Sequence, residues 1–389
     1  MNFKDKILDE AVNNHDVPFV VAATGDSKGI TYAGAAGDAA PGRKAGQDTV
    51  FRIFSMTKAV GSTAAMILVD RNKVDPESPV EDILPEFSKI MVLEGFDGDK
   101  PKLRAPRAKA TIRQLATHTS GLEYEFWNSS ILEYQQKTGT AGILAGTKAA
   151  LFYPMVTDPG TRWGYGIGID WLGQAVEKID GRRIDQFCRE EIFSPLGMTD
   201  TAHEVSPEMA KRLASVSARG EDGRFAPMEI APPSNPEVYG MGHSLYSTAI
   251  DYMRFLRMFL NRGALNGTRI LSEKAFDWML ADRTNGLAFR KMVTAMPPIT
   301  ADCDPFAGTR RTHSFAFFRN EEDIPGMRSA GSQSWAGVLN THFWFDLKSD
   351  IAAVLLTQSL PFVEPRFVNL YGDFERAVYA EGNPARARD

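Results

Sequence analysis

Strand-like runs crowd the two ends of this chain and leave its middle to helices. Residues 17–24 (VPFVVAAT) and 30–36 (ITYAGAA) read as two strands joined by the turn-rich pentapeptide Gly25-Asp26-Ser27-Lys28-Gly29. They follow a short amphipathic helix over 3–14, and a strand at 49–53 leads into a helical run over 55–71. From there to about residue 235 the apolar spacing is helical, as at 112–118, 166–179 and 183–193. Helix continues at 247–261 and 273–281; strand patterns then return at 313–318, 328–333, 337–346 and 351–358, before a closing helix at 367–379. Strands at both ends with helices between them imply that the two ends pair into one sheet, which the helices cover. The expected fold class is therefore α/β (α+β): one antiparallel sheet from both chain ends, flanked by helices, plus an all-helical insertion. Residues 1–60 and 236–389 would form the α/β domain and 61–235 the mainly helical one, with a cleft between them.

The 389 residues suit such a two-part chain at about 100–200 residues per domain. Lys and Arg number 44 against 49 Asp and Glu, a net charge of −5, and the basic residues are scattered rather than striped. That argues against a nucleic-acid partner. The basic stretch 100–109 and the Arg386/Arg388 tail read as solvated surface. Cys188 and Cys303 form no pair motif, and the six histidines show no HExxH or HxH spacing, so neither a disulfide nor a metal is expected. The amino-terminal residues mix acids and bases, and the longest apolar runs, 64–69 and 351–356, fall far short of the ~18 residues that cross a bilayer. A cytoplasmic protein without a membrane partner is the expectation.

Two serine motifs compete. Gly25-Asp26-Ser27-Lys28-Gly29 satisfies G-x-S-x-G, but a nucleophile elbow needs a strand, a sharp turn and then a helix. Here a second strand follows, which leaves Ser27 at a hairpin tip. Ser55-Met56-Thr57-Lys58 is an S-x-x-K that opens a helix directly after a strand, followed by the small and apolar residues Ala59, Val60, Gly61, Ala64 and Ala65. Three residues apart on a helix, Ser55 and Lys58 share a face. Burial of that face disfavours the lysine's charge and frees an amine to take the serine proton. A serine at a helix start also sets backbone N–H groups beside the reacting carbonyl, as an oxyanion hole requires.

With these residues in order, the chain resembles the serine β-lactamase-like superfamily of class C β-lactamases, DD-peptidases and family VIII carboxylesterases. FRIFSMTK at 51–58 resembles its nucleophile segment and PGTRWGY at 159–165 the segment of its tyrosine; TIRQLATHTSGL at 111–122, FSPLGMT at 193–199 and STAIDYMRF at 247–255 are further likenesses. The resemblance implies Ser55 as the nucleophile, Lys58 as a proton acceptor and Tyr165 as its partner, with the lysine's charge favouring a phenolate. Which of the two takes the first proton stays open. Two departures from the family pattern point away from β-lactams. Ile167 stands where an asparagine is usual, and Trp335-Ala336-Gly337 stands where Lys-Thr-Gly is usual. A substrate carboxylate wants a cation or hydroxyl there, and a neutral ester does not. The W-x-G form resembles family VIII esterases, which implies the Val338 N–H as the second oxyanion donor beside that of Ser55.

Trp335 and Gly337, with Tyr124, Trp127 and Phe152, are the candidate pocket residues, and His243 and His342 read as structural. The expected activity is cofactor-free hydrolysis of a small-molecule short-chain ester through an acyl-enzyme on Ser55. A β-lactamase, a DD-peptidase or an acyltransferase on the same site is the alternative within enzymes. A binding protein that has lost the chemistry is the alternative of another class, and keeping Ser55, Lys58 and Tyr165 together argues against it. The oligomeric state is left open, a homodimer included.

Overall fold

The computed structural model describes residues 2–382. Its centre is an eight-stranded sheet built from β1 (Phe19–Gly25), β2 (Ile30–Ala40), β3 (Arg43–Lys44), β4 (Arg311–His313), β5 (Phe318–Asn320), β6 (Gln333–Gly337), β7 (Thr341–Asp346) and β8 (Ile351–Leu356). The order is β4-β5-β6-β7-β8-β1-β2-β3, and every neighbouring pair is antiparallel. The joint between the chain ends is β1 against β8, with Val21 opposite Leu356 and Gly25 opposite Ala352.

Successive side chains of a strand face opposite ways, and the burial follows that period. Val20 and Ala22 share one core with Leu355, with Leu8 of α1 (Phe3–Asn13) and with Phe367 and Phe374 of the C-terminal helix Pro365–Gly382. Val21 and Ala23 share the other with Val354, Leu356 and the helices of the interior. One of these is α2 (Thr57–Asp70), buried from Thr57 through Leu68. It packs against α3 (Gly168–Asp180) on one side of the site, while α4 (Ala249–Leu260) lies on β8.

The structure departs from the sequence expectation in four places. The run 313–318 is not one strand: its apolar residues Phe315, Ala316 and Phe317 are buried in the turn between β4 and β5. The strand expected at 328–333 is a loop, and the ladder begins at Gln333. The middle region, expected to be all-helical, holds a hairpin in which Lys100–Arg104 of the basic stretch pairs with Val92–Asp97. The helical region also contains Val216–Arg219 and Phe225–Met228, and the first of these pairs in parallel with Ser359–Leu360. We propose that the domains divide at 1–60 with 236–389 and at 61–235, with that parallel pair as a tie across the boundary. Arg386 and Arg388 lie outside the described residues. No helix among the described residues is long and apolar enough to cross a membrane.

Candidate active site

Ser55 sits at the apex of a single 3-10 turn, Phe54–Met56, that enters α2. Phe54 before it has a φ of 41°, a left-handed conformation that costs a bulky residue about 1–3 kcal/mol. Packing of the Phe54 ring with Val216, Leu339 and Leu360 holds it there. The turn is clasped from both sides. Phe51–Arg52 pairs with Tyr246–Ser247, and the Ile53 carbonyl accepts from Thr341 Oγ1 at 3.3 Å. A Cβ at Gly337 would lie 2.2 Å from the Ile53 oxygen, so only glycine lets β6 approach the serine turn so closely.

One helical turn on, Lys58 is fully buried. Its Nζ lies 3.2 Å from Ser55 Oγ, 2.9 Å from Tyr124 Oη and 2.8 Å from the Gly242 carbonyl oxygen, donating to each in the ammonium form. Burial brings the amine down to about 7, against an opposing pull from the Asp170 carboxylate. The Tyr165 ring stands over the same amine, Nζ lying 4.8 Å from its centroid. Its hydroxyl accepts from the Trp335 indole N–H at 3.3 Å. Burial raises the Tyr165 phenol above its usual 10, outweighing the lowering by its Ser55 and Trp335 hydrogen bonds. The phenolate expected from the sequence is thus not the resting form. Desolvation, aided by the nearby Asp170 carboxylate, keeps the proton on the phenol.

Ser55, Tyr165, Trp335 and Val338 open onto one cavity of about 510 Å³, whose wall includes the aromatic side chains of Trp127, Phe126, Phe289 and Phe362. Tyr124 is not part of that wall. It is buried behind Lys58, stacked on Phe126 at 4.7 Å, because its hydroxyl is taken by the amine. Phe152 is not part of it either, since its ring packs edge-on against Trp171 of α3. Gly337 acts through its backbone approach rather than as a pocket surface. Ile167 is buried in the core at the start of α3.

Three participants escaped the sequence reading: Asp170, Gly242 and the role of Tyr124. A lone acid among apolar neighbours in Gly168-Ile169-Asp170-Trp171-Leu172, and the glycine pair in Gly240-Met241-Gly242-His243, were the available signals. Among the described residues no group of three or more His, Cys, Asp or Glu is arranged to hold a metal ion. Ser27 lies at the β1–β2 hairpin, where its hydroxyl donates to Asp350 at 2.7 Å. Ser27→Ala is accordingly expected to keep ester turnover within twofold of the parent, while loss of most of the activity would make the hairpin serine the nucleophile.

The chain matches the family model described as Beta-lactamase over residues 5–377. It is 31% identical over 346 residues to monacolin J acid methylbutanoyltransferase of Aspergillus terreus, covering 86% of this chain and 83% of that one. It is 27% identical over 347 residues to lovastatin esterase of Penicillium rubens, with 85% of each chain covered. Among solved structures, unliganded simvastatin synthase of Aspergillus terreus superposes with a TM-score of 0.83 at 28% identity over 97% of both chains.

Proposed function

This chain belongs to the beta-lactamase family, as a serine hydrolase or acyltransferase, and from that premise we propose that it is a carboxylesterase cleaving short-chain acyl esters through an acyl-enzyme on Ser55. The observation that carries the reading is the buried Lys58 amine, near neutrality and 3.2 Å from the Ser55 hydroxyl. A free amine has two N–H bonds and one lone pair. The Gly242 carbonyl and the Tyr124 oxygen take the two N–H bonds, and the lone pair is left for the serine proton.

Ser55 Oγ attacks the ester carbonyl carbon as its proton passes to Nζ. The carbonyl oxygen gathers negative charge, met by the backbone N–H groups of Ser55 and Val338. The bond to the alcohol oxygen then breaks. Tyr165, held as a neutral phenol, gives that oxygen its proton and is reprotonated from the Lys58 ammonium. Water attacks the acyl carbon, returns a proton to the same groups and releases the acid with Ser55 restored.

Trp335 and Ile167, in place of a cationic strand and an amide, favour neutral esters over carboxylate-bearing β-lactams. Losing one charge-assisted contact of about 1.5–3 kcal/mol corresponds to roughly 10–100-fold in rate. Acetyl and butyryl p-nitrophenyl esters are therefore expected to turn over at least about tenfold faster than a chromogenic cephalosporin. Equal turnover would overturn the esterase reading in favour of a β-lactamase.

A transferase reading is favoured by two observations. The cavity of about 510 Å³ is large enough for an alcohol beside a short acyl chain, and a relative bears the name of a methylbutanoyltransferase. The two readings differ only in whether water or an alcohol removes the acyl group. Product analysis with added bulky alcohols separates them, since a transferase gives new ester at the expense of free acid.

A further inference from the structure

Directly behind the lysine lies a carboxylate that the acyl-transfer steps above do not use. Asp170, in the first turn of α3, is fully buried. A buried carboxylate costs several kcal/mol unless its oxygens are met by donors, so its partners identify what it holds. Oδ1 accepts from the Gly242 N–H at 2.9 Å and lies 3.3 Å from His243 Nδ1. Oδ2 lies 3.5 Å from the Tyr124 hydroxyl. Both paths end on Lys58, whose Nζ is bonded to the Gly242 carbonyl and to the Tyr124 oxygen.

The turn 240–243 is wrapped on this carboxylate. A Cβ at Gly242 would sit 2.4 Å from Asp170 Oδ2, and one at Gly240 would sit 2.6 Å from Oδ1. Glycine at both positions lets the backbone close around the acid.

We propose that Asp170 is the positioning residue of the Ser55 reaction: it accepts the Tyr124 O–H and anchors the Gly242 amide, so that the phenol is left only to accept from Lys58, the Gly242 carbonyl stays in reach, and the amine's lone pair faces Ser55. The proposal rests on the acyl-enzyme reading. The direction of one phenol decides it. With its O–H directed at Asp170, Tyr124 offers Lys58 only oxygen lone pairs. With Asp170 neutralised, the phenol can turn its proton onto the amine's lone pair and compete with the serine.

The other titratable groups at the site leave Asp170 as the charge that sets this direction. Tyr165 and His118 face Lys58; burial raises the first and holds the second well below its usual 6.5. Tyr153 and His243 face Asp170, and burial pushes the Tyr153 phenol up. Glu125 reaches Tyr124 and His243, its own carboxyl raised by burial.

The test is Asp170→Asn, which keeps shape and removes charge, read by kcat, KM, the pH profile of kcat/KM and the rate of fluorophosphonate labelling at Ser55. A displaced base costs on the order of 100-fold, so kcat is expected to fall about 10- to 100-fold with KM within twofold. The acidic limb of the profile is expected to move to lower pH, because the charge favouring the ammonium is gone. Tyr124→Phe is expected to lose about tenfold in kcat, and the double variant no more than the worse single one, as befits one path. An unmoved limb with kcat within twofold overturns the proposal. If Asp170→Asn does not fold, parental kcat in Tyr124→Phe overturns it. Failure of the parent protein to label at Ser55 overturns the acyl-enzyme reading instead.

Discussion

Ser55→Ala is expected to lower kcat on p-nitrophenyl butyrate by about 10,000-fold or more, because loss of the nucleophile removes the covalent route and leaves only binding and oxyanion stabilisation. The fold should be indifferent to the change. The serine hydroxyl meets Lys58 at 3.2 Å and the Tyr165 phenol while facing the cavity, so its removal is worth about 1 kcal/mol. Kinetics, circular dichroism and mass spectrometry of a phosphonate-labelled parent together decide the point. Residual activity within tenfold of the parent, in a folded variant, would remove Ser55 from the mechanism.

Lys58→Met is expected to be nearly as severe, about 1,000-fold in kcat/KM, within the span of general-base effects. The methionine fills similar space and carries no proton acceptor. The pH signature is the sharper readout. In the parent, the reaction needs the free amine, whose buried value is about 7. Activity should therefore rise with pH through about 7 and fall roughly tenfold per unit below it. In Lys58→Met that limb should vanish, leaving residual activity flat across the same range. A parent profile without a limb near 7, or a variant that keeps one, would assign the proton to another group.

The sheet closed by both ends of the chain was legible because its strands carry period-two or continuous apolar runs at β1, β7 and β8. Where boundaries slipped, hydrophobicity reported burial rather than extension. Phe315, Ala316 and Phe317 are as buried as any strand residue but turn a corner between β4 and β5. At the site, Ser55 and Lys58 were readable because helical spacing ties them together, and the resemblance supplied Tyr165. The sequence groups Tyr124 with the wall residues, since an aromatic beside Phe126 and Trp127 looks the same from either side of a cavity wall. Asp170 and Gly242 meet Lys58 only through folding over long sequence distances. No local pattern announces a backbone carbonyl that faces an amine.

The pairing of β1 with β8 also sets a schedule for biosynthesis. The serine turn is made early, yet β6, which closes on it, and β8, which completes the sheet beneath it, are made on the order of 300 residues later. At about 5–20 residues per second, β1 can pair with β2 at once but waits tens of seconds for β8 on its other edge. Until then the apolar edge of β1 is open to any other chain, and contacts of such sequence separation fold slowly once they are possible. A ribosome-bound fragment ending before β8 therefore carries Ser55 and Lys58 but no closed site, so reactivity at the serine is expected only once β8 has paired with β1.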